Sequence, residues 1–386
     1  MKARYQYRIY PTDQQRQRLA QLFGCVRVVW NDALALCKKS TKTPKSAELQ
    51  KIVITQAKQT EERAWLSEVS CVPLQQSVSD LETAFKNFFE SCKGKRKGRK
   101  VGYPKFKKRT NSQSARFRIG GFSLKGGEVY LAKIGIVKPI WSRQLPSDPS
   151  SVTIVKDCAN RYFLSFVVEV NPDAVEAKNH SIGIDLGIKT FAVMSDGTSA
   201  QSLSYKQLDR KIRRLQRKLA RQTKDSKRRN KTRIQIAKLY NRIADTRKDF
   251  LHKLSTKIVN ENQVIVVEDL NVSGMLKNRK LSRAISQQGW YEFRVLCEAK
   301  SEKFGREFRV ISRWEPTSQV CSDCGFKWGK IDLSVRSVLC LNCGTQQDRD
   351  ENAARNIEMV GMGHRHDLKC TQRQSKTISV ASVDEA

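Results

Sequence analysis

The sequence predicts an α/β protein joined to a small β-barrel, and three observations predict it. Short runs of alternating apolar residues crowd into residues 114–170 and return at 181–198. Stretches with apolar residues at helical spacing fill most of the remainder, and two close cysteine pairs interrupt the chain near its end. The expected divisions are a barrel from 1–11 and 110–175, a helical segment with a basic loop at 12–109, and an α/β core from 180–315 and 346–360. A cysteine insert at 316–345 and a disordered tail at 361–386 complete the chain.

Taken in order, residues 3–10 alternate and put Tyr5, Tyr7 and Ile9 on one side of a strand that Pro11 ends. Thr12 is placed to cap a helix running from Asp13 to about Lys39, where Leu19, Leu22, Phe23, Val26, Val29 and Trp30 recur at helical spacing. A more polar helical stretch continues to about Phe89. Cys92–Arg109 then changes character, with glycines, a proline and many cations, and reads as a basic loop. SARFRIGGFSL, EVYLAKIGIVKPIW, VTIVKD and RYFLSFVVEV are short strands parted by Gly, Asn, Pro or Asp turns. The simplest arrangement closes them into a barrel with the N-terminal strand.

SIGIDLGIKTFAVMSDG reads as a strand, a Gly turn and a returning strand. Leu208, Ile212, Leu215 and Leu219 form one apolar stripe; Ile236, Leu239, Ile243, Phe250, Leu254 and Ile258 form another after a polar break. Two antiparallel helices are the natural reading. Val264–Val267 is an all-apolar run of the kind buried in a sheet, Trp290 to Phe304 suggests a helix, and Phe308–Ser312 a strand. ENAARNIEMV is the last helix, and beyond about Gly361 the chain is polar and patternless.

Charge narrows the partners. Seventy-three Lys and Arg against 38 Asp and Glu leave +35 over 386 residues. Such a surplus repels itself unless a polyanion neutralises it, and nucleic acid is the expected one, because each neutralised phosphate releases condensed counterions. An anionic membrane surface is the alternative. No apolar run approaches the roughly 20 residues of a spanning helix and MKARYQYRIY lacks a signal-peptide core, so neither membrane insertion nor secretion is expected. Cys25, Cys37, Cys71, Cys92, Cys158, Cys297 and Cys370 are scattered singly, unlike a secreted disulfide scaffold, and point to a reducing cytosol.

The other four cysteines form two pairs. Cys321-Ser-Asp-Cys324 and Cys340-Leu-Asn-Cys343 are each followed by glycine and stand fifteen residues apart. That matches the C-x2-C-x15–20-C-x2-C spacing of a four-thiolate zinc site. A redox pair is the alternative, but no strand–helix redox context is visible. A site closed by four thiolates is structural.

Three acids stand out by context. Asp185 sits in Ile-Gly-Ile-Asp-Leu-Gly, a single acid among apolar neighbours and glycines; Glu268 ends Val-Ile-Val-Val-Glu; Asp350 opens the last helix. Singly they read as a turn acid, a strand-end acid and a helix cap, and Asp348 is as good a cap as Asp350. Together they form a set able to converge on divalent cations about 3.5–4 Å apart, and Mg²⁺ suits all-oxygen ligands.

Asp-x-Gly on a first strand, Val-Glu-Asp-Leu on a later one and Asp-Arg-Asp-x-Asn-Ala-Ala after a cysteine insert resemble the RuvC-like nuclease core of the TnpB family. That family is transposon-encoded and related to type V CRISPR effectors. Pro316-Thr-Ser-Gln-Val-Cys-Ser-Asp-Cys-Gly, Gly289-Trp290, Gly102-Tyr-Pro-Lys-Phe-Lys-Lys and the opening Tyr-Arg-Ile-Tyr-Pro-Thr carry the likeness over roughly residues 1–360. The resemblance implies an RNase H-like (RuvC) core with an inserted zinc ribbon and a wedge-like barrel holding a helical recognition segment. It further implies an RNA-guided DNA endonuclease with a guide RNA from its own locus, double-stranded target DNA and a prokaryotic cytosolic setting. By the same match Asp185, Glu268 and Asp350 correspond to the catalytic, Mg²⁺-binding acids, with Asp348 the near alternative. Some relatives have lost the triad and act as repressors, a fate the three retained acids argue against, and the fold also permits strand transfer by a transposase. A non-enzymatic zinc-ribbon RNA-binding protein leaves Asp185 and Glu268 unexplained.

Two segments are candidates for nucleic-acid contact. Residues 206–249 are dense in cations, among them Arg210, Arg214 and Arg217, with few acids to pair them, although charge runs are often plain solvated faces. Tyr103, Lys105, Lys107 and Lys108 mix cations with aromatic faces able to stack on unpaired bases, or Tyr103 and Phe106 start a core strand.

Overall fold

The computed structural model describes residues 1–40, 43–96, 100–171, 176, 179–332 and 334–364, so the expected disordered tail lies outside the described residues from 365 onward. Two compact units divide the chain: Met1–Val170 with Gln222–Lys238, and Asn171–Arg221 with the residues from Leu239 on.

In the first unit, β1 (Lys2–Ile9) buries Tyr7 and Ile9, as its alternation predicts. Helix α1 (Asp13–Lys39) starts on a capping box. The Gln15 amide donates to the Thr12 hydroxyl at 3.3 Å, and the Thr12 amide donates to Gln15 Oε1 at 3.1 Å. By length and composition α1 could cross a membrane, which no run of the sequence was expected to approach. In the fold its apolar stripe is a core face: Leu19, Leu22, Val29 and Leu34 are buried among the strands and helices of the unit.

The polar stretch after α1 is not one helix. Short α2 (Ser46–Gln50) runs into a π-type turn at Lys51–Gln56 and 3₁₀ turns at Ala57–Gln59 and Ala64–Glu68, before α3 (Cys71–Cys92). Thr60 and Val69 take extended backbone and break the run. Strands β2 (Gln113–Arg118), β3 (Phe122–Lys125), β4 (Glu128–Leu131), β5 (Gly135–Val137), β6 (Pro139–Ile140), β7 (Ser151–Lys156) and β8 (Tyr162–Glu169) follow. An antiparallel sheet of order β2-β7-β8-β1-β6 and a β3-β4-β5 meander share one core with α1 and α3. The N-terminal strand thus joins the later strands, pairing along its whole length with β8.

The second unit holds β9 (Asn179–Leu186), β10 (Thr190–Met194), β11 (Ser199–Gln201), α4 (Lys206–Ala220), α5 (Lys227–Glu261, its later part), β12 (Asn262–Glu268) and α6 (Val272–Met275). It continues with α7 (Ser282–Gln288), α8 (Trp290–Phe304), β13 (Glu307–Ile311), β14 (Ser337–Leu339), β15 (Gln346–Asp348) and α9 (Arg349–Gly361). The main sheet has the order β11-β10-β9-β12-β13; the first three strands are antiparallel, and β9, β12 and β13 are parallel.

Its faces explain the apolar run on β12. Ile265 and Val267 pack with Leu251 and Ile258 of α5 and Phe293 of α8, while Val264 and Val266 pack with Ile357 of α9. A strand covered on both sides needs apolar residues at every position. Phe191 sits edge-on to Phe250 and Phe293, with ring centroids 5.1 and 5.3 Å away.

Candidate active site

Strands β9 and β12 run parallel with Ile184 beside Val267 and Ile182 beside Ile265. One step further on, Asp185 and Glu268 stand side by side at the strand ends. Because Ile182, Ile184, Ile265 and Val267 face α5 and α8, the alternate positions Gly183, Asp185, Val266 and Glu268 face α9. The carboxyl ends of parallel strands are where open α/β sheets present ligand sites.

Helix α9 brings the third acid. The Asp348 carboxylate caps it, accepting from the amides of Asp350 (2.8 Å) and Glu351 (3.1 Å). Asp348, the near alternative to Asp350, is thus engaged as the helix cap. Gly183 sets how closely α9 approaches. A Cβ there would lie 2.1 Å from the Ala354 carbonyl oxygen and 2.6 Å from the Glu358 nitrogen, contacts no side chain tolerates. The Ser181 hydroxyl donates to Glu358 Oε1 at 2.5 Å on the same face.

The acids feel one another. Asp185 is pushed up to about 7, first by desolvation, then by the charges of Glu268 and Asp350, against the pull of Arg349. Desolvation also raises Glu268, opposed by the Thr317 hydroxyl, which donates to Glu268 Oε1 at 2.5 Å. A buried Asp185 with two further acids beside it, its ionisation opposed first by desolvation and then by their charge, is a place that a cation relieves. Hard oxygen donors of this kind fit Mg²⁺. Arg336 of the cysteine insert meanwhile donates Nη1–H to Asp350 Oδ2 at 2.8 Å. Among the described residues, only the four paired cysteines bring three or more metal-ligating atoms within 4.8 Å of one another, so the three carboxylates stand wider than that.

Residues that the sequence did not single out hold this arrangement. Asp269 is gripped by Arg294 (Nη1 to Oδ1, 2.7 Å) and by the Arg313 guanidinium, and these two keep its carboxyl below the usual range. Its amide donates to the Ile311 carbonyl at 3.1 Å, which fixes the strand end that carries Glu268. Asn352 is fully buried; its Oδ1 accepts from the Ser322 amide at 2.7 Å and its Nδ2 donates to the Val320 carbonyl at 2.9 Å. Asn356 Nδ2 donates to the carbonyls of Thr317 and Val320, both at 2.7 Å. Two amides four apart on an otherwise apolar helix face were the available signal, and they tie α9 to the chain entering the cysteine insert.

The four cysteines do converge. Cys321 Sγ lies 3.8 Å from Cys343 Sγ and Cys324 Sγ 3.5 Å from Cys340 Sγ. Tetrahedral zinc with bonds of about 2.3 Å requires sulfurs about 3.8 Å apart, so the donor set fits such an ion. Each loop is closed by its glycine: Gly325 and Gly344 both take φ +73°, and their amides donate back to the carbonyls of Cys321 (3.0 Å) and Cys340 (2.8 Å). The exposed Cys343 thiol is pulled down to about 6 by the Thr345 hydroxyl, and burial pushes Cys340 up to about 12.

The basic candidates sit as follows. Arg210, Arg214 and Arg217 are exposed on the face of α4 opposite Ile212, which packs with Tyr205 and Ile243. Lys206, Arg210, Lys211 and Arg242 border a cleft of about 610 Å³ there. In the first unit, Tyr103–Lys108 is coil, not a strand, and is held against α1 and α3. The Tyr103 ring lies 5.4 and 5.3 Å from those of Phe85 and Phe88. Trp30 Nε1–H donates to the Lys105 carbonyl at 3.1 Å, and Lys107 Nζ lies 3.9 Å over the Trp30 ring. Lys105 and Lys108 remain exposed.

The chain resembles known proteins along most of its length. The family model described as "Probable transposase" matches residues 165–279, "Cas12f1-like, TNB domain" matches 290–357, and "Helix-turn-helix domain" matches 1–45, where the structure has β1 and the single helix α1. A Streptomyces pristinaespiralis protein named "Putative RNA-guided DNA endonuclease" is 41% identical over 370 residues, 94% of this chain and 90% of the relative. "Putative RNA-guided DNA endonuclease InsQ" of Escherichia coli (strain K12) is 31% identical over 379 residues, 92% of each. The fold resembles a chain in "Cryo-EM structure of the Cas12f1-sgRNA-target DNA complex", with TM-score 0.56 over 92% of this chain and 98% of that one at 14% identity. With identity sustained over nine-tenths of two relatives, the chain belongs to the TnpB family of transposon-encoded nucleases.

Proposed function

We propose that the chain is an RNA-guided, Mg²⁺-dependent DNA endonuclease that hydrolyses phosphodiester bonds beside a short flanking motif, in a prokaryotic cytosol. The observation that carries the reading is the pairing of Asp185 and Glu268 on adjacent parallel strand ends, with Asp350 near enough to raise Asp185. Asp185, Glu268 and Asp350 would hold the cation, which supplies charge for the scissile phosphate and an activated water. Thr317 orients Glu268, Asp348 orients the helix that carries Asp350, and Arg336 keeps a positive charge at the site's edge. In this reading the main sheet is an RNase H-like core, the first unit is a wedge-like barrel with its helical insert, and Cys321, Cys324, Cys340 and Cys343 bind structural zinc.

The +35 surplus supports two anionic partners at once, a guide RNA from the protein's own locus and double-stranded target DNA. Arg210, Arg214 and Arg217, with Tyr103, Lys105, Lys107 and Lys108, are the surfaces we assign to them. Sequence choice would then lie in base pairing, and the protein would read only the flanking motif. The test is to purify the chain from cells carrying its locus, sequence the bound RNA, and supply that RNA with a new guide segment. Cuts should move with the guide and leave hydrolysed, unjoined ends. Equal cutting without RNA, or a cut that ignores the guide, overturns the reading.

A further inference from the structure

Trp314 is 86% exposed, the most of any large apolar side chain among the described residues. A lone exposed apolar residue ordinarily needs no explanation, but the loop that carries this one is pinned on both sides to the acids. Ile311 lies beside Glu268 in the β12–β13 register. The Arg313 guanidinium grips Asp269, and three residues past Trp314 the Thr317 hydroxyl donates to Glu268 Oε1. Between those anchors the chain makes a tight turn, in which Ser312 Oγ accepts from the Trp314 amide at 3.3 Å and the Ser312 carbonyl accepts from the Glu315 amide at 3.2 Å. The turn that carries the indole is therefore anchored beside the acids, and the ring stands exposed on it. Beside it, Asp269 is held by both guanidiniums, of Arg294 and Arg313.

We propose that Trp314 is a stacking platform for an unpaired base of the DNA strand entering the three acids, an inference that rests on the nuclease reading above. An indole face stacks on any base and so holds a strand without reading it. That suits a site whose sequence choice is made elsewhere.

The test uses the full chain with its co-purified RNA, as wild type, Trp314→Ala and Trp314→Phe. The probes are single-stranded DNA oligonucleotides carrying 2-aminopurine or an abasic residue at successive positions. Without Mg²⁺, 2-aminopurine at one position should be quenched by wild type and Trp314→Phe but not by Trp314→Ala. With Mg²⁺, Trp314→Ala should cut roughly 5- to 150-fold more slowly, with its thermal midpoint unchanged and with Trp314→Phe recovering most of the rate. An abasic residue at the quenched position should slow wild type comparably and slow Trp314→Ala no further. Wild-type rate and quenching in Trp314→Ala overturn the platform and leave the nuclease standing, and so does an abasic effect undiminished in that variant. A wild type that cuts no DNA overturns the nuclease reading, and this one with it.

Discussion

Replacing Asp185 by Asn should stabilise the metal-free protein while abolishing cleavage. The native Asp185 carboxyl is raised from 3.8 to about 7, so between those values the folded chain binds a proton that the unfolded chain has released. Stability therefore falls as pH rises through that window, and above about pH 7 the full cost is present. Three units at about 1.36 kcal/mol each cap it near 4 kcal/mol. Because Asp185 is half-buried and water screens part of the repulsion, about 1–3 kcal/mol is the working figure. For a unit of this size that is a rise of about 2–10 °C in thermal midpoint. The assay is thermal unfolding of wild type and Asp185→Asn at pH 8 in Mg²⁺-free buffer without a strong chelator, so that the thiolate site is left intact. At pH 5 the gap should shrink to less than roughly half, since wild type then carries the proton. Added Mg²⁺ should stabilise wild type and not the variant. A variant no more stable than wild type at pH 8, or a gap that ignores pH, refutes the account of Asp185 as an acid whose ionisation costs folding energy.

Two other perturbations follow from the same geometry. Gly183→Ala puts a methyl group into the Ala354 carbonyl and should cost about 1–3 kcal/mol as α9 is pushed off β9; cleavage should fall further than the lost stability explains, and a variant with wild-type midpoint and rate contradicts the close approach. Elemental analysis should find one zinc per chain, and Cys340→Ser should lose it and lower the midpoint of the second unit, since structural zinc sites contribute folding free energy; active protein free of zinc refutes the assignment.

How much of this was legible before folding depended on the range of the interaction. Thr12 as a helix cap, the glycine after each cysteine pair, and the buried run Val264–Val267 are local patterns, and each formed as read. Asp185 and Glu268 were legible because a single acid in an apolar strand is conspicuous. Asp350 was favoured over Asp348 by the motif it shares with the family, and the structure adds that Asp348 is occupied as the helix cap. Gly183 read as part of a bracket around Asp185, whereas its role is contact with α9 near the other end of the chain. Asp269, Arg294 and Arg313 were invisible because 25 and 44 residues separate the partners. The break at Thr60 and Val69 escaped a reading based on helical spacing, because nothing local forbids a helix there.

The thiolate cluster and the acids are best understood as one mechanical assembly. Thr317, Val320 and Ser322 lead into the first cysteine loop, and each is bonded to Glu268, Asn352 or Asn356. From within the insert, Arg336 reaches back to Asp350. A metal that closes the insert therefore also holds the Thr317 hydroxyl on Glu268, and α9 with Asp350 against β9. Repulsion among Asp185, Glu268 and Asp350 acts to spread the same elements. The buried amides of Asn352 and Asn356 resist that spreading, since breaking their bonds would leave polar groups unpaired at about 1–3 kcal/mol each. The strand and helix ends that carry the acids are thus restrained, at a cost to folding, through Thr317, Asn352, Asn356 and Arg336 from the neighbouring thiolate cluster.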